Sequence, residues 1–344
     1  MEPINLFDYE ALAQQRLEPA VWDYYQGGSG DEVTLRENRA AFERILLRPR
    51  VLVDVSAIDM RTTVLQTPVR MPILIAPTAA HSLAHPQGEL ATARAAGRAG
   101  TVMIVSTTAS YSIEEVAAVA GGELWLQLYS HHSRETTGQL VRRAESAGYR
   151  AIVLTVDTPF LGRRERDIRN HFLIGKRVRL PNFPPDAAES SARRHLVDTW
   201  ETVDWLQSFT KLPVLLKGIL RGDDAQMAAE RGVAGIIVSN HGGRQLDGTL
   251  ASIEALPEVA GAVAGRCEVY VDGGIRRGSD VLKALALGAR AVLIGRPALW
   301  GLAADGEAGV YRVLELLRAE LELTMALSGS PSLSSVDRSL LKIS

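Results

Sequence analysis

The sequence predicts a (β/α)8 barrel, an α/β fold in which eight parallel strands close into a ring surrounded by helices. Short, continuous apolar runs recur along most of the chain, and such runs are typical of strands buried on both faces. There are eight of them, and most are followed by an alanine-rich amphipathic segment, which is the alternation of this barrel. The alternative is a doubly wound open sheet, but its first strand would lead into a glycine-rich turn. Here the first turn is Pro77-Thr78-Ala79-Ala80.

The N-terminal part of the chain, residues 1–66, precedes this alternation and is interpreted as a helical cap on the barrel. It contains helical patterns, the second of which ends at Gly27-Gly28-Ser29-Gly30. Three helices and one extended segment are predicted in the cap, at residues 6–16, 19–26, 34–46 and 51–55. We expect the cap and the barrel to form a single domain, residues 1–344.

The barrel itself is predicted to occupy residues 67–344. Its strands are predicted at residues 72–77, 102–106, 124–129, 151–157, 214–217, 235–239, 269–272 and 291–295. Its helices are predicted at residues 89–99, 113–120, 134–146, 223–231, 253–264, 279–287 and 309–327. The 55 residues after strand 4, residues 158–212, are longer than the other connections. They are predicted to form a long loop at the end of the barrel where active sites lie.

Composition narrows the possible functions. The net charge of −2 gives no basic field that would favour nucleic acid or an anionic membrane. No stretch reaches 18 uninterrupted apolar residues, and the N-terminus lacks the apolar core of a signal peptide, so no membrane partner is predicted. The single cysteine, Cys267, excludes an intrachain disulfide framework and fits a reducing compartment. We therefore expect a cytoplasmic protein, and we assign no metal ligands.

The ends of the predicted strands are unusually polar for buried strands. In this fold those ends meet at one rim, where active sites lie. Taken singly, each has a structural explanation: Gln127 could be a paired buried amide, and Lys217 could extend its amine to solvent. Packing alone does not explain so many at one rim. They are Pro77, Thr78, Ser106, Thr107, Gln127, Tyr129, Thr155, Asp157, Lys217, Ser239, His241, Asp272, Gly273, Gly274, Gly295 and Arg296.

One stretch at the end of strand 6, residues 239–247, combines acid–base chemistry with anion binding. His241 can take up a proton, and Arg244 is a fixed cation three residues later. The two glycines between them allow a tight turn and the close approach of a ligand. Alone this pattern is weak, because a loop histidine and a surface arginine would look the same. Its position among the other strand ends makes it a candidate catalytic site.

The loops after strands 7 and 8 predict a phosphate site. Residues 272–278 contain Gly273, Gly274 and Arg276, and residues 295–297 read Gly-Arg-Pro. Glycines free backbone N–H groups for an anion, and these two loops are the recurrent phosphate site of this barrel. Lys217 could oppose a second negative charge. A flavin mononucleotide would use both the phosphate site and Lys217, because its phosphate and its reduced ring are each negative.

These motifs together resemble those of a known family, the FMN-dependent 2-hydroxy acid oxidases and dehydrogenases that act on glycolate, lactate and mandelate. The resemblance covers essentially the whole chain, and residues 239–245 are its most specific part. The other matching stretches are residues 22–28, 48–50, 75–79, 84–86, 127–129, 154–159, 162–164, 272–274 and 295–297. The resemblance implies FMN as the cofactor.

The resemblance also implies roles for individual residues. His241 is expected to be the base that removes a proton from the substrate, and Asp157 to orient it and stabilise its protonated form. Arg164 and Arg244 are expected to clamp the substrate carboxylate. Two hydroxyl groups are expected to contact the substrate, those of Tyr24 and Tyr129. The flavin contacts implied are Pro77, Thr78, Ala79, Ser106, Gln127, Thr155, Lys217, Ser239, Asp272, Gly273, Arg276, Gly295 and Arg296.

Two departures from the glycolate-oxidising members indicate a larger substrate. Those enzymes carry a tryptophan where this chain has Thr107-Thr108-Ala109-Ser110, and a methionine where it has Ala80. Thr108 and Ala80 are therefore predicted substrate contacts that leave room for a phenyl ring. We expect oxidation of an aromatic (S)-2-hydroxy acid, mandelate or 4-hydroxymandelate, to the 2-oxo acid.

The remaining expectations concern the electron acceptor and the assembly. The loop after strand 4 lacks the insert of the membrane-bound mandelate dehydrogenases, which favours dioxygen as acceptor and hydrogen peroxide as product. Four alternatives stay open: a lactate- or glycolate-type oxidase, a dehydrogenase with another acceptor, an FMN or phosphate-binding barrel of different chemistry, and a non-catalytic flavin binder. A homotetramer is expected by analogy with the family.

Overall fold

Eight parallel strands form a closed barrel in the computed structural model, which describes residues 2–130, 133–183 and 197–343. The strands are β1 (Ile73–Ile75), β2 (Met103–Ser106), β3 (Leu124–Leu128), β4 (Ile152–Thr155), β5 (Val214–Ile219), β6 (Gly235–Val238), β7 (Glu268–Asp272) and β8 (Ala291–Ile294). Neighbours in the ring are neighbours in sequence, and β8 closes on β1 with Val292 opposite Ile73. The predicted fold class is confirmed, and each predicted strand overlaps one strand of the barrel.

The barrel strands are apolar throughout because both of their faces are covered. One set of side chains packs in the barrel interior, and it includes Leu74, Ile104, Trp125, Val153, Leu215, Ile237, Tyr270 and Leu293. The alternate set packs against the outer helices. Because the strands are parallel, all eight carboxyl ends open at one rim.

The described residues form helices inside and outside the barrel repeat. They are α1 (Leu6–Arg16), α2 (Pro19–Gln26), α3 (Val33–Glu43), α4 (Gly88–Ala99), α5 (Ile113–Val119), α6 (Arg134–Ser146), α7 (Glu165–Arg169), α8 (Trp200–Phe209), α9 (Gly222–Glu230), α10 (Ser252–Val263), α11 (Gly278–Ala286) and α12 (Arg296–Leu327). The last helix begins earlier than predicted, directly after β8, and is kinked at Asp305 and Gly306. Gly306 has a φ of 54° there, which an alanine-rich sequence pattern does not reveal.

The prediction for residues 44–55 was wrong in two respects. The predicted third helix ends at Glu43, and Ile45–Leu47 pairs antiparallel with Leu341–Ile343, a strand from the other end of the chain. The predicted extended segment 51–55 is not a strand, and its Leu52 has a φ of 61°. Such a long-range pairing leaves no local signal in either segment.

A hairpin missed by the sequence analysis covers the barrel end opposite the carboxyl rim. It consists of Thr62–Val64 and Thr67–Val69. Its valines are buried with the interior side chains of the barrel, and the N–H of Leu65 donates to Glu268 at the start of β7. The rim with the polar strand ends is therefore the only end left for a ligand among the described residues.

The connection after β4 is long, as predicted, but it is not a single loop. It contains the short helix α7, and α8 serves as the fourth outer helix of the barrel. Val203 and Leu206 of α8 are buried. The prediction missed α8 because this ten-residue helix follows a long polar, proline-containing stretch. Residues 184–196 of the predicted loop lie outside the described residues.

No helix in the described ranges is both long and apolar enough to cross a membrane. Those ranges also contain no group of three or more side chains that could hold a metal ion.

Candidate active site

A cavity of about 690 Å³ opens at the carboxyl rim of the barrel. All eight strands or the loops that follow them contribute to its wall, together with α2 of the N-terminal segment. The predicted site residues that line it are Tyr24, Pro77, Thr78, Ala79, Ser106, Thr108, Gln127, Tyr129, Thr155, Arg164, Lys217, His241, Arg244, Asp272, Gly273, Arg276, Gly295 and Arg296. The polar strand ends therefore meet in one place.

Three predicted site residues lie behind the cavity wall. Asp157 is hydrogen-bonded to His241. The Ser239 hydroxyl accepts from Lys217 Nζ at 2.8 Å and from the His241 N–H at 3.0 Å. Ala80 is fully buried; its N–H donates to the Thr108 carbonyl. Ala80 was predicted to contact the substrate, but its side chain is not part of the cavity wall.

His241 and Asp157 form a paired acid–base unit. His241 Nδ1 lies 3.0 Å from Asp157 Oδ1, and the other ring nitrogen is the one left for a ligand in the cavity. Burial lowers the pKa of His241 below its usual 6.5, and the nearby Asp157 carboxylate partly opposes this. Burial works to raise the pKa of Asp157, but the charge and hydrogen bond of His241 and the nearby charge of Lys217 together lower the net pKa. The pair thus favours a neutral imidazole beside an ionised carboxylate.

The turn that carries His241 has an uncommon backbone. His241, Gly242 and Gly243 have φ values of 59°, 66° and 75°, all in the left-handed region. A Cβ on Gly243 would lie 2.6 Å from the backbone nitrogen of Leu35 in α3. Glycine is therefore required where the N-terminal segment packs on this turn.

Lys217 is buried in the wall next to Asp272. Its Nζ lies 3.1 Å from Asp272 Oδ2 and donates to Ser239 Oγ. The other carboxylate oxygen, Asp272 Oδ1, is buried and has no hydrogen-bond partner in the part of the chain that the structure describes. A buried acceptor that faces a cavity in this way can accept a hydrogen bond from a hydroxyl group of a ligand.

Three partly buried arginines give the cavity a strong positive charge. Burial lowers the pKa of Arg244 to about 10 and that of Arg276 to about 10, and it lowers the pKa of Arg296 further. Six cationic side chains line the cavity against two carboxylates, those of Asp167 and Asp272. Buried cations are costly unless an anion compensates them. The cavity is therefore built for an anionic ligand.

Two of these arginines also fasten the N-terminal segment to the rim. Arg296 donates to the carbonyl groups of Tyr25, Gly27 and Gly242 at 2.9–3.0 Å. Arg244 Nη1 donates to the carbonyl groups of Tyr24 and Gly27 at 2.6 and 2.8 Å. Arg296 was predicted from the sequence only as a phosphate contact, and the structure adds this second role.

The opposite side of the cavity is neutral and internally hydrogen-bonded. Gln127 Oε1 accepts from the Ser106 hydroxyl and from the Thr107 N–H, and Gln127 Nε2 donates to the Thr155 hydroxyl at 3.0 Å. The Thr78 hydroxyl contacts a buried ring nitrogen of His81. This side presents a rigid surface of small polar groups.

The connection after β4 supplies wall residues that the sequence analysis did not single out. They are Leu161, Asp167, Phe172, Leu173, Ile174, Lys176 and Phe183. Phe172 stacks on Tyr24 with ring centroids 4.5 Å apart. On the Tyr24 ring lies the Arg244 guanidinium, whose Cζ is 5.1 Å from the ring centroid. An apolar run of Phe172, Leu173 and Ile174 within a charged connection was the available signal.

A model of the FMN-dependent dehydrogenase family matches residues 13–343. The chain belongs to this family. An L-lactate oxidase of Nostoc sp. is 53% identical to it, over 99% of this chain and 98% of its own length. A glycolate oxidase of Spinacia oleracea is also 53% identical, over 98% of this chain and 95% of its own length. FMN is therefore the cofactor, and the activity is the FMN-dependent oxidation of a 2-hydroxy acid.

The solved structures most relevant to the site are those of a mandelate oxidase. In complex with (S)-4-hydroxymandelic acid it has a TM-score of 0.94 and 45% identity, covering 99% of this chain and 98% of its own. A mutant of the mandelate oxidase with (S)-mandelic acid has a TM-score of 0.93 and 46% identity, with the same coverage of 99% and 98%. The fold and the family are thus shared by enzymes named for small and for aromatic acids.

The cavity residues of this chain fit FMN. The unpartnered Asp272 Oδ1 suits a ribityl hydroxyl, and the arginine excess near the ends of β7 and β8 suits a phosphate. The buried Lys217 amine is a cation that could oppose the negative charge of a reduced flavin ring. The neutral side around Gln127 offers small, uncharged polar groups for the ring itself.

Proposed function

We propose that this enzyme oxidises an aromatic (S)-2-hydroxy acid, mandelate or 4-hydroxymandelate, to the corresponding 2-oxo acid, with dioxygen as the electron acceptor. The observation that carries the aromatic part is an apolar wall in the cavity. Leu161 and Leu173 line the cavity, yet they are 56% and 52% exposed, so a bound apolar group would cover them. Thr108, a small side chain, also lines the cavity.

His241 acts as the base in this proposal. With Nδ1 held by Asp157, its other ring nitrogen takes the proton from the α-carbon or hydroxyl of the substrate. Asp157 stabilises the imidazolium that forms and keeps the ring in one orientation. The lowered pKa of His241, caused first by burial, keeps the base unprotonated near neutral pH.

Arg244 and Arg164 bind the substrate carboxylate. Arg244 is fixed by two carbonyl groups through Nη1, which leaves its remaining N–H groups to point at a ligand, and Arg164 Nε lies 3.4 Å from the Arg244 carbonyl. A planar, bidentate donor suits a carboxylate. Tyr24 and Tyr129 supply hydroxyls, and burial raises the pKa of both, so each stays a hydrogen-bond donor.

The flavin contacts divide between the two sides of the cavity. Lys217 would stabilise negative charge on the reduced ring, and the ribityl chain and the phosphate would be held by Asp272, Gly273, Arg276, Gly295 and Arg296. The ring itself would be held by Pro77, Thr78, Ala79, Ser106, Gln127 and Thr155. The chemistry that FMN supplies is the acceptance of the two electrons that the substrate loses. Dioxygen then takes these electrons and gives hydrogen peroxide.

A lactate- or glycolate-type substrate is the second candidate, and the 53% identity to enzymes named for those acids favours it. The two candidates differ in how much apolar surface the substrate buries. Covering a phenyl-sized side chain is worth about 1.5–3 kcal/mol, which corresponds to roughly 10- to 150-fold in kcat/KM. A small acid leaves Leu161 and Leu173 uncovered and gains none of this.

Anaerobic bleaching of the bound flavin tests the proposal. The FMN-loaded enzyme is mixed with glycolate, L-lactate, and the R and S forms of mandelate and 4-hydroxymandelate, and the rate of flavin reduction is measured. We expect an S-mandelate to give the largest second-order rate constant. Glycolate or lactate as the fastest substrate would replace the aromatic assignment with the second candidate.

The acceptor is tested on the same sample. After anaerobic reduction, the enzyme is mixed with air-saturated buffer and the return of the flavin absorbance is followed. Reoxidation well within a second, with one hydrogen peroxide per flavin, is expected of an oxidase. Reoxidation over minutes would indicate a dehydrogenase with another acceptor.

We also propose a homo-oligomer, a tetramer by analogy with the family. Large apolar side chains on the surface support a protein interface, among them Val51, Leu52 and Leu327, which are at least 71% exposed. Light scattering after gel filtration should give four times the 37.3 kDa chain mass. A monomer at micromolar concentration would contradict this.

A further inference from the structure

Two buried asparagines join the N-terminal segment to the turn that carries His241. Asn38 lies on α3 and Asn240 directly precedes His241, and they are 3% and 4% exposed. Asn38 Nδ2 donates to Asn240 Oδ1 at 2.8 Å, and Asn240 Nδ2 donates to Asn38 Oδ1 at 2.7 Å. Each amide uses a donor and an acceptor on the other, which a carboxylate or an alanine cannot reproduce.

The Asn240 side chain also fixes the turn that follows it. Its Oδ1 accepts from the Gly243 N–H at 3.1 Å, and its Nδ2 donates to the Leu250 carbonyl at 3.0 Å. The turn between contains His241 at a φ of 59°. This region is uncommon for any residue other than glycine, so the surrounding contacts help to hold the conformation. The Gly243 N–H also lies 3.1 Å from the Asn240 backbone carbonyl, so the Asn240 side chain is one of two groups of this residue that close the turn.

Helix α3 is anchored by other contacts besides this amide pair. Arg39 Nη1 donates to the Gly274 carbonyl at 3.0 Å and forms an ion pair with Asp280. The Asn38 carbonyl packs so closely on Gly274 that a Cβ there would lie 1.7 Å from the oxygen. Removing the Asn38 amide therefore leaves the helix docked. It removes the contact with Asn240 and the hydrogen bond that Asn38 Oδ1 accepts from the Ser252 N–H at 3.3 Å.

We propose that Asn38 is a positioning residue for the catalytic base. Acting through Asn240, it holds the strained turn in which His241 Nδ1 stays on Asp157. Asn38 is not part of the cavity wall, so it contacts neither substrate nor flavin directly. The inference rests on the proposed role of His241 in proton removal and adds to it a residue from outside the barrel.

The carboxylate clamp next to this turn is held independently. Arg244 donates to the carbonyl groups of Tyr24 and Gly27, which belong to α2 and the residue that follows it. Losing the Asn38 amide should therefore misplace the base more than the clamp. The expected signature is a lower limiting rate of flavin reduction with little change in the substrate concentration needed for half-saturation.

The test is anaerobic stopped-flow reduction of FMN-loaded variants with a 2-hydroxy acid that the wild type oxidises. Asn38→Ala removes the pair, and Asn38→Asp keeps its size but sets a carboxylate oxygen against Asn240 Oδ1. Either should lower the limiting rate about 10- to 100-fold, the scale of displacing a catalytic group by about 1 Å. Flavin content and half-saturation should change less than about threefold. If one variant does not fold, the other carries the same prediction.

Thr34→Val is the matched control. Thr34 lies on the same helix and is fully buried, and its hydroxyl accepts from the N–H groups of Gly248 and Thr249 in the same loop, beyond the turn. Its rate should stay within about twofold of the wild-type rate, because these contacts do not reach the turn. Equal losses in Thr34→Val and Asn38→Ala would overturn the inference, since general loosening of the helix would explain both. Wild-type rates in the Asn38 variants would also overturn it.

Two further measurements separate this inference from the proposed function. If His241→Ala keeps its rate, the assignment of the base fails; if it loses its rate and the Asn38 variants do not, only the role of Asn38 fails. The double variant Asn38→Ala/Asn240→Ala should be no more than about twofold slower than Asn240→Ala, because the pair is already broken. If the fold-losses of the two single variants multiply in the double variant, Asn38 and Asn240 do not act through the same contact.

Discussion

The two halves of the cavity rim differ in charge. Among the cavity residues that the structure describes, the ends of β1, β2 and β3 carry no charged side chain. The ends of β5 to β8 and their loops carry Lys217, His241, Arg244, Asp272, Arg276 and Arg296. The neutral half satisfies its polar groups internally through Gln127, whereas the charged half contains buried cations and an unpartnered carboxylate oxygen.

This difference separates two tasks. Buried, uncompensated charge is what holds a phosphate, a carboxylate and a moving proton, so changes in the charged half should slow every substrate. The neutral half, apart from the Tyr129 hydroxyl, and the apolar side chains Leu161 and Leu173 after β4 meet the parts of ligands that carry no charge, whereas Arg164 of the same connection belongs with the carboxylate clamp. Changes at the uncharged positions should alter which substrate is preferred and leave the chemistry in place.

The largest effect is expected for His241→Ala. Loss of a general base should lower the rate of flavin reduction about 10³-fold, for small and aromatic acids alike. FMN should remain bound, because the arginines near β7 and β8 are untouched. The measurement is anaerobic stopped-flow absorbance with flavin content determined on the same sample. Near-normal reduction would show that another group takes the proton.

Asp157→Asn should lower the rate of flavin reduction about 100-fold and shift its pH dependence. The base must be neutral, so kcat/KM rises with pH through the pKa of His241, which burial places below 6.5. The Asp157 carboxylate raises that pKa, so its removal should move the acid limb to lower pH. A pH profile of kcat/KM from about 4.5 to about 8, on either side of the ordinary histidine pKa, checks the direction. A shift to higher pH would contradict the pairing.

Arg244→Lys should act mainly on substrate binding. Lysine keeps the charge but loses the planar, bidentate geometry and the second carbonyl contact. We expect kcat/KM to fall about 10- to 100-fold, chiefly through KM. Steady-state kinetics with two acids would show this, and the losses should be similar for both. A loss confined to the aromatic acid would mean that Arg244 sets substrate preference and does not bind the carboxylate common to both acids.

Thr108→Trp should have the smallest effect on chemistry and the clearest effect on preference. It fills the neutral half of the cavity, and the ratio of kcat/KM for S-mandelate to that for glycolate should fall about tenfold. Thr108→Val is the control, because it removes the hydroxyl without adding volume. An unchanged ratio in Thr108→Trp would mean that the aromatic ring binds elsewhere.

The charged half could be predicted from the sequence, and the apolar wall could not. Lys217 lies within a recognisable strand and His241 closely follows another, so the barrel geometry alone brings them to one rim. Phe172 and Leu173 belong to a connection whose path depends on how α7 packs against α2. The stacking of Phe172 on Tyr24 joins segments far apart in the chain, and no local pattern predicts it.

The same reason explains the other errors. The predicted contact of Ala80 with substrate came from the comparison with family members that carry a methionine at this position, whereas Ala80 is buried at a φ of 52°. Arg296 and Asn38 gain their structural roles from contacts with distant segments. The order of the strands, the residues at the rim and the family can be predicted from the sequence. The direction of a side chain in a loop depends on contacts with distant segments, which the sequence pattern does not reveal.

The most direct test of the division of labour is the anaerobic rate of flavin reduction by S-mandelate and by glycolate, measured in wild type, His241→Ala and Thr108→Trp. If the charged half performs the chemistry and the neutral half selects the substrate, His241→Ala slows both acids by the same large factor. Thr108→Trp then slows S-mandelate at least about tenfold more than glycolate. Equal losses for the two acids in Thr108→Trp, or a changed preference in His241→Ala, would contradict it.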